Sequence, residues 1–104
     1  MVWILGHLYL GKLKLMVHIV KRHGHKEAFD ERKLYASVYA ACLTSRLLHE
    51  EAESIANLVT REVIRWVVDK DEVTSGQVSE QAGKELEHLN KEAAFMYKTH
   101  RDIS

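Results

Sequence analysis

The chain has 104 residues, 46% of them hydrophobic and 29% charged, with 15 lysines and arginines offset by 15 aspartates and glutamates and a single cysteine, Cys42. That length suits one soluble domain with one core. One thiol excludes an internal disulfide framework or a four-cysteine zinc ribbon, and zero net charge removes any whole-chain argument for nucleic acid or a membrane surface. A cytoplasmic location follows as the natural expectation for such cysteine usage.

Residues 1–15, MVWILGHLYLGKLKL, form an apolar run shorter than the roughly 20 residues that a membrane span needs. Lys12 and Lys14 follow the run, whereas a signal peptide places its charge first. The segment is read as an apolar N-terminal extension ahead of a domain over residues 16–104, with Met16 an alternative start. Alternation of Leu13, Leu15, Val17 and Ile19 with Lys12, Lys14, Met16 and His18 leaves an extra strand open as a second reading. No membrane association is expected.

Val17 to Val20 reads as a strand, His23-Gly24 as a tight turn, and Lys26 to Phe29 as the return strand. Asp30 is a good N-cap for a helix to about Ser45, whose inner face is Leu34, Val38, Ala41 and Cys42. A second helix is expected from about Glu50 to Lys70, on the stripe Ala52, Ile55, Val59, Val63 and Trp66 with Val67 beside it. Asp69 to Glu72 reads as a polar break. Thr74-Ser75-Gly76-Gln77 has the form of a capping box and opens a third helix through Val78, Ala82, Leu86 and Leu89. Asn90 reads as its stop, and a fourth helix carries Ala93, Ala94 and Tyr97 to about Arg101. The outcome is a mostly helical α+β fold, a four-helix bundle capped by a small N-terminal β-hairpin or three-stranded sheet. Short connections predict antiparallel neighbours.

Charge is uneven along this outline. Residues 16–33 carry five lysines and arginines against three carboxylates, and residues 50–72 carry three against seven. Lys21 and Arg22 stand at the end of a strand. Lys33 falls in the first turn of a helix, where a cation opposes the dipole unless an anion is present. One reading is a phosphate held by Lys21, Arg22 and Lys33, with Glu27 and Asp30 accepting from ribose hydroxyls or an exocyclic amine. The other is a solvated hairpin whose cations pair loosely with Glu27, Asp30 and Glu31. Lys98 and Arg101 share a face of the last helix, either easing its dipole or supplying another phosphate ligand.

His18, His23 and His25 include a His-x-His pair, but no cysteine or carboxylate completes a compact metal set, so surface histidines are the expectation. Cys42 reads as a buried structural thiol, and Trp66 as core or an oligomer contact. The glycine-rich phosphate cradles are absent, and so is any convincing nucleophile–base or paired-carboxylate arrangement. No catalysis is expected.

The order of these pieces resembles the ATP-cone family, a nucleotide-binding regulatory module of ribonucleotide reductases and of the repressor of their genes. Its opening motif runs Val-x-Lys-Arg-x-Gly-x-x-Glu-x-Phe-Asp-x-x-Lys, and Ile19, Lys21, Arg22, Gly24, Glu27, Phe29, Asp30 and Lys33 match it in order and spacing. Thr74-Ser75 followed by Val78 is similar to a second signature. Ala93 to Tyr97 and His100-Arg101-Asp102 look like the family's closing Ala-aromatic and Tyr-Arg-Asp segment. The likeness covers residues 17 to 103.

The resemblance implies four helices under a β-lid and a nucleotide site. Lys21 and Arg22 would contact phosphates, and Ile19 would sit by the adenine. Glu27, Asp30 and Lys33 would line base and sugar, and Thr74 would touch the adenine region. Lys98 or Arg101 would reach the phosphates. The implied ligand is an adenine nucleotide, ATP or dATP, with Mg2+ as a candidate companion. The implied output passes to a homo-oligomer or to a separate protein partner such as a ribonucleotide reductase. A transcriptional regulator and a degenerate module that binds only protein are the alternatives. With no zinc ribbon or basic helix in view, nucleic acid is not expected as a partner.

Overall fold

The computed structural model describes residues 18–20 and 26–103. The extension, the alternating segment before His18, the His23-Gly24 turn, Lys21 and Arg22 lie outside the described residues. Strands β1 (His18–Val20) and β2 (Lys26–Ala28) precede helices α1 (Glu31–Thr44) and α2 (His49–Val67). Strand β3 (Glu72–Thr74) then leads into α3 (Ser75–Leu89) and α4 (Lys91–Ile103). Among the described residues the fold is mostly helical α+β with four helices, as the periodicity predicts.

The three strands form one sheet in the order β2-β1-β3. β1 runs antiparallel to β2, with Ile19 opposite Glu27, and parallel to β3, with Ile19 opposite Val73. The polar break expected at Asp69 to Glu72 is turn and bend as far as Asp71, and β3, which was not expected, takes its last residue, Glu72. Glu72 and Thr74 are exposed and only Val73 turns inward, onto a buried Ile19. One apolar residue carries no periodicity, so this strand exists through its pairing with a distant segment.

The helix boundaries follow local chemistry. The Asp30 carboxylate accepts from the Arg32 N–H at 2.9 Å and opens α1. At its far end the Arg46 N–H donates to the Leu43 carbonyl at 3.0 Å and the Leu47 N–H to the Cys42 carbonyl at 3.2 Å. This is a Schellman closure, and Arg46 takes the left-handed position at φ 67 that glycine usually fills. Arg46→Gly is therefore expected to stabilise the chain by about 1 kcal/mol, raising the thermal midpoint by about 4–8 °C. An unchanged or lowered midpoint in calorimetry would contradict the strain assigned to Arg46.

In α2 the Glu51 carboxylate accepts from the Leu48 N–H at 3.2 Å. The expected capping box of α3 is formed. Thr74 Oγ1 accepts from the Gln77 N–H at 3.0 Å, and Gln77 Oε1 accepts from the Thr74 N–H at 2.9 Å. Asn90 has two roles. Its N–H donates to the Leu86 carbonyl at 2.8 Å, ending α3, and its side-chain oxygen accepts from the Ala93 N–H at 2.8 Å, starting α4.

Each helix packs on two others in a ring: α1 against α2 and α4, and α3 against α2 and α4. Having two neighbours widens the buried face of α2. Ala56, Thr60 and Ile64 join Ala52, Val59, Val63 and Val67 inside, while Ile55 and Trp66 stay half-buried. Lys70 Nζ lies 4.6 Å from the Trp66 ring centroid, a contact that covers the indole face with a charge. Cys42 is fully buried, and burial pushes its thiol pKa up, which suits an inert core residue. Besides the Cys42 thiol and the Tyr97 phenol, Thr60 is the one residue with a polar side chain buried among the described residues. No helix among them is long and apolar enough to cross a membrane.

Candidate functional site

A cleft of about 560 Å³ opens at the end of the bundle that meets the sheet. That is room for one medium-sized ligand. The sheet side contributes Ile19, Ala28 and Phe29. The start of α1 contributes Asp30, Lys33, Leu34, Ser37 and Ala40, the start of α3 contributes Ser75, Val78 and Ser79, and the last turns of α4 contribute Tyr97 and His100. Lys33, Ser37 and Ala40 follow the spacing i, i+4, i+7 and so share one stripe of α1, and Ser75 and Ser79 do the same on α3.

The floor is apolar, since Ile19, Phe29, Leu34, Val78 and Tyr97 are all buried members of the core cluster. The rim is polar, with Asp30, Lys33, His100 and the hydroxyls of Ser37, Ser75 and Ser79. The small side chains on the α1 and α3 walls keep the space open. An apolar bottom with hydroxyls and opposite charges at its mouth suits a flat heteroaromatic ring carrying a hydrophilic tail.

The Asp30 carboxylate is only partly available to a ligand. It caps α1 through Arg32 N–H and lies 3.7 Å from Arg32 Nε. With the Arg32 side chain 91% exposed, that ion pair is worth little. The Ser37 hydroxyl donates back to the Lys33 carbonyl at 2.9 Å. Among the described residues no group of three histidines, cysteines or carboxylates could hold a metal ion.

The structure thus gathers Ile19, Asp30 and Lys33 of the expected site residues on one cleft. Glu27 stands on β2 opposite Ile19 in register, with its side chain outside the described residues, as is that of Arg101 in the last turn of α4. Thr74 is not on the lining; its hydroxyl is engaged as the α3 cap, and the next residue, Ser75, faces the cleft instead. Lys98 is exposed and also off the lining. Its neighbour Tyr97 points inward, and a residue one step on is turned about 100° away. The cleft face of α4 therefore passes from Tyr97 to His100. Sequence reasoning followed the cations and missed His100, Ser75, Ser79 and Ser37. The phase set by the inward Ala93, Ala94 and Tyr97 was the available signal for His100.

Comparison with known proteins bears on this cleft. Residues 17–103 match the model of a family described as the ATP cone domain. A protein named transcriptional repressor NrdR from Protochlamydia amoebophila is 30% identical over 95 residues, which is 88% of this chain and 57% of that protein. Proteins of the same name from Kosmotoga olearia and Herminiimonas arsenicoxydans are 29% and 30% identical, covering 84% and 83% of this chain and 56% of each relative. The chain spans little more than half the length of the curated relatives it matches. Their name corrects one expectation. Setting nucleic acid aside as a partner rested on no zinc ribbon or basic helix being in view, and relatives named as transcriptional repressors overturn it.

Proposed function

Because the chain belongs to the ATP-cone family, we propose that its cleft binds an adenine nucleotide, ATP or dATP, and that the domain is a regulatory module that senses it. One observation carries the reading. The apolar floor and the polar rim meet where Ile19 of β1, Asp30 at the α1 cap and Lys33 in the first turn of α1 converge. Lys33, unfavourable as a helix-starting cation, gains a reason beside a phosphate.

In this reading β1 and β2 act as a lid. Ile19, Phe29 and Tyr97 enclose the base, and Lys33 with Lys21 and Arg22 meets the phosphates. Glu27 and Asp30 accept from sugar hydroxyls or the exocyclic amine. Thr74 acts through the backbone, as the cap that holds Ser75 at the wall. A magnesium ion would ride with the phosphates. Nucleotide ordering of the lid would then change a surface read by a partner chain or by another copy. The name shared by the relatives favours transcriptional repression, in the control of ribonucleotide reductase genes, as the output. The domain supplies the sensing and no chemistry on the nucleotide.

The test is a thermal-unfolding series on the chain with ATP, dATP, ADP, AMP and GTP, with and without magnesium. A ligand at about 100 times its dissociation constant adds about 2.7 kcal/mol, hence a shift of order 10 °C for a domain of this size. The shift is expected with adenine nucleotides and should vanish in Lys21→Ala/Arg22→Ala. No shift with any nucleotide at millimolar concentration would overturn the reading.

A further inference from the structure

The two ends of the bundle differ. The cleft and the sheet occupy one end, where α1 and α3 start and α4 finishes. At the other end α1 and α3 finish, and α2 and α4 start. Tyr39 Oη lies 2.6 Å from His49 Nδ1, which puts the first residue of α2 beside the last turns of α1. Three of the four large exposed hydrophobic side chains among the described residues fall at this second end. They are Leu48 at the α2 cap, Leu89 closing α3 and Phe95 in the second turn of α4. Leu48 is 70% and Phe95 67% exposed. A second hollow, of about 390 Å³, opens beside Phe95 between Ser45 and Arg46, just past α1, and Lys91, Glu92 and Met96 of α4. Single exposed leucines are ordinary, but large apolar side chains gathered at one end beside a hollow mark a contact surface.

The charges around the hollow say what fits it. Among the described residues of this end, Arg46 and Lys91 are exposed cations, and Glu50, Glu87 and Glu92 are exposed carboxylates. Glu51 is turned back onto the α2 cap. A nucleic acid or an anionic membrane would meet more carboxylates than cations here. A rim of nearly balanced opposite charges around an apolar middle complements a copy of itself related by a half-turn, cation onto carboxylate. We propose that this end is an isologous contact surface between two copies of the chain, with Leu48 and Phe95 of each copy packed against the hollow of the other. The pair forms end to end, so both clefts stay open at its outer poles. It needs no nucleotide and does not rest on the nucleotide reading. The patch is small, so the pair is transient, with a dissociation constant on the order of 100 µM. Trp66, weighed from the sequence as an oligomer contact, is half-buried under Lys70 near the end of α2 and takes no part.

Sedimentation equilibrium on the full chain, without nucleotide and from about 10 µM to about 1 mM, reads the association. The mass is expected to rise from 12.0 kDa toward twice that value. Phe95→Asp and Leu48→Asp should each weaken the pair by about tenfold or more. Both side chains are exposed in the single chain, so each variant should keep the far-ultraviolet circular dichroism of the wild type. Leu58→Ser, at an exposed leucine within α2 and away from this end, should pair like the wild type. Charge reversal tests the register. Arg46→Glu/Lys91→Glu and Glu50→Lys/Glu92→Lys should each stay monomeric alone and pair one-to-one when mixed, which apolar adhesion without charge register would not produce. A mixture that stays monomeric would overturn the isologous contact. So would pairing that survives both Phe95→Asp and Leu48→Asp, since the copies would then meet elsewhere. A wild type that remains monomeric at about 1 mM would overturn the proposal and assign this end to a different partner. None of these outcomes involves nucleotide, so failure here leaves the nucleotide reading in place.

Discussion

Leu86→Ala is expected to destabilise the domain by about 2–5 kcal/mol and to lower its thermal midpoint by about 10–30 °C. Leu86 is 0% exposed and is the largest of the fully buried side chains among the described residues. It lies on α3, which packs on both α2 and α4. The core cluster it belongs to includes the buried alanines Ala52, Ala56, Ala82 and Ala93 beside Val59, Val63 and Val67. A close-packed interior relaxes only in part around a deleted side chain, so a cavity term adds to the lost burial. A domain of this size has only about 5–15 kcal/mol of stability in total. Phe95 provides the comparison. It is as apolar as Leu86 but 67% exposed, and Phe95→Ala should move the midpoint by no more than a few degrees. Denaturation of both variants followed by circular dichroism settles the matter. Equal losses would mean that the assigned core is wrong.

Ser79→Trp is expected to weaken nucleotide binding by 100-fold or more, with little change in the midpoint of the unliganded protein. Ser79 is half-buried on the α3 wall, and the space in front of it belongs to the cleft of about 560 Å³ rather than to the packed interior. An indole there occupies volume that the ligand needs, without displacing core side chains. The loss comes from sterics and should not depend on salt. Loss of Lys33 would behave differently, because a charge contact with phosphate weakens as ionic strength rises. Titration of ATP at two salt concentrations against Ser79→Trp and Lys33→Ala separates the two mechanisms. Full affinity in Ser79→Trp would show that the nucleotide binds elsewhere.

What could be read from the sequence followed the range of the interaction involved. Asp30, the Thr74/Gln77 pair and Asn90 act on backbone groups within three residues, so their roles are visible in a linear string. The stripes Leu34–Val38–Ala41 and Val78–Ala82–Leu86 are visible for the same reason, through the turn of the helix. β3 was invisible because its partner Ile19 is remote in sequence. The inner place of Ile64 over Trp66 depends on α2 having two neighbours, which no single-helix pattern states. At the cleft, Ile19, Asp30 and Lys33 came from a motif. Thr74 came from a second motif and Lys98 from the basic residues of the closing segment, and neither reveals which hydroxyl is consumed by a cap or which face of α4 turns inward. His100 and Ser75 are one helix step and one residue away from those choices.

The parallel pairing of Ile19 with Val73 has a kinetic consequence. The chain between them contains all of α1 and α2, so pairing β1 with β3 is entropically cheaper once those helices have formed and packed. Non-local pairing carries a loop-closure cost, which here falls on three short strands. The sheet should therefore be the last element to assemble and the first to open. Amide exchange at Ile19 and Val73 should be faster than at Val59 or Leu86, reporting a local opening below the global one. A ligand held between the sheet and the bundle would bridge the last-formed contact. Slower exchange at those two amides would then record occupancy directly.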